Sequence, residues 1–445
     1  MIKVVKFGGS SLADAAQFQK VKDLVQADEK RAVVVVSAPG KRFGDDNKVT
    51  DLLYLCHAHL QYGVSYEAIF SMIEERFNEI KRGCGLKTNL GAEFALIRSN
   101  MKKNMSIDYL ASRGEYLTGK LMADYLGYTF VDATQWVSFG YDGKLDMEKT
   151  NAQLAAIFEK TNKLVLPGFY GALPDGGVKV MTRGGSDITG SLAAAAVNAE
   201  VYENWTDVSG ILMADPRIVE NPKPIAHITY SELRELAYMG ANVLHEEAVF
   251  PVLHKDIPIN IRNTNEPAAP GTFIQQHFSK ESREERKRFI TGISGRKDYS
   301  IITLHKHHLI AEVGMIRKVL SVLEKYKVPI EQTPGGIDSF SVVVTTEKIT
   351  PVLYDVIAEI KQQCDPDSIT VTEGISLIAV VGRKMVSIPG VSGKMFGALG
   401  ENGINIRLID QGPDEINIIV GVENKDFEQA IRVLYNKFIV GGEEE

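Results

Sequence analysis

The sequence predicts an α/β protein in which a mainly parallel sheet, flanked by helices, is followed by two copies of a smaller βαββαβ unit. Over the first 275 or so residues, short β-branched segments alternate with amphipathic helical stretches, a pattern typical of parallel sheets. Beyond them the sequence repeats at an offset of 76 residues, so that Gly314 recurs as Gly390 and Leu323 as Leu399. Each copy has the order strand, helix, strand, strand, helix, which predicts a small split βαβ sandwich present twice.

Six short segments are predicted as strands of the first domain. The first two are β-branched and are followed by small-residue turns, as buried strands usually are. The six segments span residues 2–7, 33–36, 163–166, 178–181, 201–205 and 258–261. Between Asp51 and Leu110 the pattern is mostly that of amphipathic helix. The strands are therefore expected to be buried between helices.

Residues 281–298 divide the chain because they are dense in charges of both signs and poor in core residues. Such a segment is typical of a solvated helix or linker, and the alternative with a specific function is a basic recognition patch. The predicted domains are therefore 1–280, 299–373 and 374–445. The exposed sheet edges of the two repeated units are expected to pair, within the chain or with a second subunit.

Composition excludes several classes of protein. A net charge of −7 argues against a general affinity for nucleic acid or an anionic membrane. Cys56, Cys84 and Cys364 are far apart and form no CxxC pair, so neither a disulfide framework nor a thiolate metal site is expected. No apolar run approaches the roughly 18 to 20 residues that cross a bilayer, and the N-terminus lacks the apolar core of a signal peptide. The sequence predicts a soluble, cytoplasmic protein.

The first candidate for a ligand-binding segment is a glycine turn at the end of the first predicted strand. Lys6 ends the strand, Gly8 and Gly9 follow, and a helix is predicted to begin at Ser11 with Asp14 three residues on. Glycines present backbone N–H groups, and the helix N-terminus and the lysine add positive charge, so the segment suits a polyphosphate. The alternative is an ordinary strand–turn–helix link with a capping serine.

A second glycine turn repeats this arrangement. Arg183 precedes Gly184 and Gly185, and Asp187 lies just inside a helix predicted to span Ile188 to Ala199. The alternative is again structural, with Asp187 merely complementing the helix dipole. Two such turns in one sheet favour a shared binding site.

Two further motifs are compatible with either a functional role or a purely structural one. Thr206 and Asp207 close a predicted strand, and ligands bind at the ends of parallel strands, although turn formation favours the same residues. Ser112 and Glu115 fit a capping box as well as a catalytic motif.

No GxxxxGK[ST] element is present, which disfavours the P-loop class. The cluster of His305, His307 and His308 has no acidic or thiol neighbours, so no metal site is predicted there. Phosphoryl transfer to a carboxylate would explain why no general base stands out, because a carboxylate with a pKa near ~4 is already ionised at neutral pH. Such a reaction needs the negative charges to be gathered and stabilised instead.

Taken in order, the motifs KFGGSS (6–11), SRGE (112–115), RGGSD (183–187) and TDVSGILMADPR (206–217) resemble the aspartate kinases. The repeated C-terminal unit resembles the pair of ACT domains in that family, and the likeness covers nearly the whole chain. It implies an amino-acid-kinase three-layer sandwich followed by two ferredoxin-like ACT domains. It further implies transfer of the γ-phosphoryl group of ATP, with Mg²⁺, to the β-carboxylate of L-aspartate, giving 4-phospho-L-aspartate for lysine, threonine and methionine biosynthesis.

The resemblance also implies roles for single residues. The catalytic residues would be Lys6, which neutralises the transferring group, and Asp187, which orients it and the substrate. The aspartate-binding residues would be Thr50, Glu115 for the ammonium, Arg183 for the α-carboxylate, Gly184, Gly185 and Ser186. The ATP-binding residues would be Lys6, Gly8, Gly9, Ser10, Thr206, Asp207, Leu212, Arg217 and Asn242.

Three departures from the family pattern affect these assignments. Asn242 stands where the family often has a lysine that contacts the nucleotide, and Leu212 stands where many relatives have a tyrosine. The loop from Lys41 to Thr50 is longer than the common version.

The ACT pair resembles the lysine-sensing type, which implies feedback by lysine or threonine and a homodimer or a dimer of dimers. The implied effector-binding residues are Met315, Ile316, Pro329, Ile330 and Glu331, with packing as the alternative role of the apolar members. Two other functions stay open on the sequence: an enzyme of the same fold with another acceptor, such as glutamate, and a non-catalytic amino-acid sensor.

Overall fold

The computed structural model describes residues 2–182, 184–241, 244, 246–278, 289–412 and 414–441. They fall into two units. The first comprises Met1–Ile211, Pro224–Tyr230 and Asn242–Phe278, and the second comprises Leu212–Lys223, Ser231–Ala241 and Ser279–Glu445. The second unit thus includes two segments from inside the predicted first domain.

The first twelve strands are short. They are β1 (Lys3–Phe7), β2 (Arg31–Val36), β3 (Thr129–Phe130), β4 (Leu164–Pro167), β5 (Tyr170–Ala172), β6 (Val178–Val180), β7 (Val201–Thr206), β8 (Ile211–Leu212), β9 (Pro224–Ile225), β10 (His227–Thr229), β11 (Ile259–Asn263) and β12 (Thr272–Gln275). The first nine α-helices are α1 (Ala15–Gln26), α2 (Val49–Tyr62), α3 (Glu67–Cys84), α4 (Leu90–Asn100), α5 (Ile107–Leu126), α6 (Met147–Lys160), α7 (Gly185–Ala196), α8 (Tyr230–Tyr238) and α9 (Phe250–Leu253).

The first unit is built on one eight-stranded sheet with the order β10-β12-β11-β7-β1-β2-β4-β3. All neighbouring pairs are parallel except β11 with β12, which confirms the predicted α/β class. Five of the six predicted strands belong to this sheet. The sixth, β6, instead pairs antiparallel with β5 in a separate hairpin.

Helices cover both faces of this sheet. Val5, Phe7, Val34 and Val36 point to one face and form a core with helices α1 to α5. Successive side chains of a strand point to opposite faces, so Lys6 points to the other face, where α7 packs against β1 and β7. The lysine therefore emerges beside the N-terminus of α7.

Two predicted helix starts are wrong. Residues Gly9–Leu12 form a short 3₁₀ turn, and α1 begins later, capped by Asp14, whose Oδ1 accepts from the Gln17 N–H at 2.9 Å. Ser112 lies in the middle of α5, which is capped by Ser106 instead. Ser112 and Glu115 therefore form no capping box, because both lie inside a continuous helix.

The second unit carries the repeated region. Its strands are β13 (Gly292–His305), β14 (Ser339–Thr345), β15 (Ser368–Val381), β16 (Leu408–Asp410) and β17 (Asn417–Glu423). Its α-helices in this region are α10 (Met315–Lys325), α11 (Thr346–Ile349), α12 (Leu353–Cys364), α13 (Val391–Glu401) and α14 (Phe427–Tyr435). One antiparallel sheet with the order β14-β13-β15-β17-β16 joins both copies.

The two copies are interleaved rather than consecutive. Residues 292–296, from the predicted linker, pair with Leu377–Val381 of the second copy, whereas Tyr299–His305 pairs with the earlier half of β15. Strands β13 and β15 thus each serve both copies. Residues 281–288 of the predicted linker lie outside the described part of the chain. Within the described part, no helix combines the length and apolar character needed to span a membrane.

Candidate active site

A cleft of about 630 Å³ lies at the carboxyl ends of the central strands of the first unit. Both glycine turns contribute to its wall. Its lining consists of Lys6, Gly8, Gly9, Ser10, Ser37, Ala38, Pro39, Gly40, Lys41, Lys48, Thr50, Glu115, Phe169, Gly184, Gly185, Ser186, Asp187, Thr206 and Asp207. Most of the predicted site residues are therefore neighbours in space.

The first glycine turn is held by close backbone contacts. The Gly8 N–H donates to the Trp205 carbonyl oxygen at 3.0 Å, which fastens the turn to β7. The Gly9 carbonyl oxygen accepts from the Gly40 N–H at 2.8 Å. A Cβ on Gly9 would lie only 2.9 Å from the Ala38 carbonyl oxygen, so the two turns that follow β1 and β2 touch only because glycine is present.

The second glycine turn forms the N-terminus of α7. Gly184 precedes the helix with φ +77°, and Asp187 lies in its first turn. The N–H groups of such a terminus have no partner within the helix and carry partial positive charge. Because α7 begins at the cleft, these groups favour an anion there.

Lys6 and Asp187 connect the two turns. The Lys6 side chain is buried, and its Nζ lies 2.6 Å from Asp187 Oδ1. The same carboxylate oxygen accepts from Asn204 Nδ2 at 2.9 Å. Asp187 therefore fixes the position of the lysine ammonium inside the cleft, and its Oδ2 has no ion-pair or hydrogen-bond partner among the described residues.

Glu115 is a buried carboxyl group at the cleft. It is 5% exposed, and its Oε2 has no hydrogen-bond partner among the described residues. Burial raises its pKa to about 8, although a backbone hydrogen bond from Ala38 and the charges of Arg113 and Lys6 oppose the shift. An unpaired carboxyl in a polar cleft is suited to a cationic group of a ligand.

Phe169 is a cleft residue that sequence reasoning missed. Its backbone has φ +80°, a conformation that L side chains rarely adopt. Its N–H donates to Thr189 Oγ1 at 3.0 Å, and its carbonyl oxygen accepts from the Met181 N–H at 2.7 Å. These bonds hold Phe169 in place against the start of α7. Strained residues of this kind are concentrated at functional sites.

The turn after β2 was also missed as part of the site. Residues 37–41 and Lys48 line the cleft together with Thr50, which lies in the first turn of α2. A signal for them was available, because β1 and β2 are neighbouring parallel strands whose carboxyl ends lie at the same edge of the sheet.

Four residues predicted at the active site are not among the described residues that line the cleft. Leu212 and Arg217 belong to the second unit. Arg217 is paired with Asp215 at 2.6 Å, and its side chain is 86% exposed. Arg183 and Asn242 lie outside the described residues.

The predicted effector residues belong to the second unit and have different environments. Met315 is part of the hydrophobic core formed with Leu323 and Val342, which gives it a packing role. Ile316 and Pro329 are exposed, Ile330 and Glu331 are partly buried. Glu331 Oε2 accepts from the Tyr238 hydroxyl at 2.5 Å. The carboxylate is thus already engaged by a neutral donor.

Comparison with known proteins gives matches over the whole chain. Residues 1–263 match the profile of the amino acid kinase family, and residues 378–438 match that of the ACT domain. The chain is 34% identical over 455 residues to Aspartokinase 3 of Bacillus subtilis, with 99% of each sequence covered.

Solved structures give the same result. The aspartate kinase of Clostridium acetobutylicum has a TM-score of 0.94 and 49% identity, covering 98% of this chain and 100% of that one. Aspartokinase III of E. coli, in complex with aspartate and ADP, has a TM-score of 0.74 and 25% identity, covering 98% and 99%. In complex with lysine and aspartate, the same protein has a TM-score of 0.75.

Proposed function

The chain belongs to the amino acid kinase family and, within it, to the aspartokinases, and on this premise we propose that it transfers the γ-phosphoryl group of ATP to the β-carboxylate of L-aspartate. The observation that carries the proposal is the single cleft in which Lys6, held by Asp187, lies between two glycine turns. The product would be 4-phospho-L-aspartate, the starting compound for lysine, threonine and methionine.

The cleft supplies positive charge where the reaction gathers negative charge. The backbone of Gly8, Gly9 and Ser10 would bind phosphate oxygens, and Lys6 Nζ would neutralise the transferring group. Because Asp187 fixes the ammonium in advance, little reorganisation is needed during transfer. The β-carboxylate is ionised at neutral pH, so no residue has to remove a proton from it.

The amino-acid half of the cleft lies around Glu115. The Oε2 atom of Glu115, which has no hydrogen-bond partner among the described residues, would bind the substrate ammonium. Thr50 and Ser186, which also line the cleft, would bind a carboxylate. Arg183, which we propose as the clamp for the α-carboxylate, lies outside the described residues. A guanidinium fork suits that group.

Mg²⁺ is the proposed companion of ATP. The described residues contain no group of three or more His, Cys, Asp or Glu side chains that could hold a metal ion. This fits Mg²⁺, which is usually held by substrate phosphates and water with one or two carboxylates. Asp207, at the cleft, and the Oδ2 atom of Asp187 could supply them. When bound, the ion neutralises charge on the β- and γ-phosphates.

The experiment that tests the proposed function is the trapping of the acyl phosphate with hydroxylamine. Purified protein with ATP and Mg²⁺ is expected to give a hydroxamate that depends on L-aspartate. Glutamate, acetylglutamate and carbamate are tested in parallel as acceptors. An equal or larger product with one of these, or none with aspartate, would contradict the proposal.

We further propose feedback inhibition by an amino acid, with lysine favoured, in a homodimer or a dimer of dimers. Two features support this: the E. coli relative was solved with lysine, and Glu331 offers a carboxylate that an ammonium could take from the Tyr238 hydroxyl. The edge strand β16 of the second unit's sheet offers a surface for a second subunit. The outer side of β14 is instead bonded to residues 331–335. The hydroxamate assay with lysine, threonine or both identifies the effector.

The raised pKa of Glu115 predicts a pH-dependent affinity for aspartate. Below about 8 the Glu115 carboxyl is mostly neutral, and a neutral carboxyl cannot pair with an ammonium. The KM for aspartate should therefore fall on the order of tenfold between pH 6.5 and 8, then level off. Aspartate binding at pH 7 should release a proton, measured by calorimetry in buffers of different ionisation enthalpy. A KM that is constant over this range, with no proton release, would show that Glu115 does not bind the ammonium.

A further inference from the structure

A buried ion pair lies behind the cleft, outside its lining. Arg76, on α3, is 4% exposed, and its Nη2 lies 2.6 Å from Asp46 Oδ2. Asp46 also accepts from the Arg42 backbone N–H and from Arg42 Nε, both at 2.9 Å. A buried ion pair contributes little net stability compared with apolar residues of similar volume. Stability alone therefore does not explain the presence of this ion pair, which indicates an additional role.

The loop that Asp46 anchors begins and ends at the cleft. Residues 41–48 connect the turn after β2 to the start of α2, and Lys41 and Lys48 at its two ends line the cleft. Within the loop, Lys41 Nζ donates to the Gly44 carbonyl oxygen at 3.0 Å. The Arg76–Asp46 pair fastens the middle of this loop to α3. The positions of both lysines consequently depend on a contact made outside the site.

Arg76 also holds the turn that touches the first glycine turn. Its Nη1 donates to the Gly40 carbonyl oxygen at 2.9 Å, while the Gly40 N–H donates to the Gly9 carbonyl oxygen at 2.8 Å. A Cβ on Gly40 would lie 2.7 Å from the Gly9 carbonyl carbon. A single residue, Gly40, therefore separates the guanidinium from the phosphate turn.

The same segment forms the wall beside Glu115. A backbone hydrogen bond from Ala38 reaches the Glu115 carboxylate. A Cβ on Gly114 would lie 2.7 Å from the Ala38 Cβ, so α5 and the segment are in close contact. Thr50, two residues after Lys48, completes this wall. A displacement of the loop would thus first change the positions of the residues in the half of the cleft that is proposed to bind the amino acid.

We propose that Arg76 and Asp46 are positioning residues of the aspartate site, which hold residues 40–48 so that Lys41 and Lys48 present positive charge to the carboxylates of the substrate. The inference rests on the proposed function. Two carboxylates entering one cleft repel each other and the γ-phosphate, and ammonium groups held at fixed positions reduce that repulsion. Arg76 touches no substrate and acts through the loop.

The test compares Arg76→Met and Asp46→Asn with a control variant, Arg82→Gln. Arg82 lies on the same helix as Arg76, but it forms an exposed ion pair, with Glu75. In Asp46→Asn, the KM for aspartate is expected to rise at least about tenfold, while kcat and the KM for ATP stay within about threefold. Arg76→Met should raise the KM for aspartate at least as much, and it should raise the KM for ATP by more than Asp46→Asn does, because it also loses the hydrogen bond to the Gly40 carbonyl oxygen. Arg76→Lys should recover part of the affinity. If Arg76→Met fails to fold, Asp46→Asn carries the test, since it retains the side-chain volume.

A double-variant cycle separates positioning from stability. Lys41→Met/Lys48→Met is expected to raise the KM for aspartate at least tenfold, and adding Arg76→Met should raise it less than twofold further, because the loop would then have no charge to place. Independent, multiplicative effects, or an unchanged KM in Asp46→Asn or in the lysine variant, would overturn the inference. A native protein that forms no aspartate-dependent hydroxamate would refute the proposed function instead.

Discussion

Lys6→Met is expected to lower kcat about 1,000-fold with little change in either KM. The ammonium of Lys6 is buried at the cleft and held by Asp187 at 2.6 Å, so it can neutralise charge that develops on the transferring phosphoryl group. Removing one such preorganised donor typically costs 10²–10³-fold in kcat, and a full charge stands at the upper end. The hydroxamate assay at saturating ATP and aspartate measures kcat directly.

Lys3→Met is the matched control, because Lys3 lies on the same strand but pairs with Asp28 at 2.9 Å away from the cleft. It should keep kcat within about threefold of the native protein. Retention of more than a tenth of the native kcat by Lys6→Met, in a protein with an unchanged melting curve, would remove Lys6 from the catalytic role.

Glu115→Gln is expected to raise the KM for aspartate on the order of 100-fold while leaving the KM for ATP within about twofold. Truncating one partner of a buried charge pair costs roughly 2–5 kcal/mol, and each 1.4 kcal/mol is a factor of ten in affinity. Glutamine retains the volume of the buried side chain, so the packing of α5 is preserved.

Two comparisons make this prediction specific. Ser112→Ala, one turn earlier on α5, removes a hydroxyl that donates to the Tyr109 carbonyl oxygen and accepts from the Arg113 guanidinium. Neither partner lines the cleft, so both KM values should stay unchanged. Succinate, which lacks the ammonium, should bind native protein and Glu115→Gln equally. If Glu115→Gln weakens aspartate and succinate to the same degree, Glu115 holds the shape of the cleft rather than the ammonium.

The pattern of the sequence predicted the sheet and the meeting of the two glycine turns. The continuous β-branched run from Val33 to Val36 is typical of a buried parallel strand, and neighbouring parallel strands bring their carboxyl ends together. Gly8–Gly9 could therefore be placed at that edge from local patterns alone. Gly184–Gly185 follows β6, which lies in a separate hairpin, and reaches the cleft as the N-terminus of α7 instead.

Local patterns failed where a feature depends on distant residues. Ser112 and Glu115 match a capping box, but only the structure shows that α5 starts at Ile107. The positive φ of Phe169 is imposed by its bonds to Thr189 and Met181, which no propensity encodes. The buried partner of Asp46, Arg76, is thirty residues along the chain on α3. Similarly, the high density of charged residues in 281–298 led to the prediction of a linker, whereas β13 begins there at Gly292.

The interleaving of β13 and β15 limits how the repeated region can be divided or exchanged between proteins. Because residues 292–296 pair with Leu377–Val381, a chain cut at 373 would remove from the second copy a strand segment that precedes the first copy in the sequence. Neither module can be excised, swapped or transplanted alone without leaving an open sheet edge prone to aggregation. The two copies therefore form one structural element, and a chimaera should exchange residues 292–441 together.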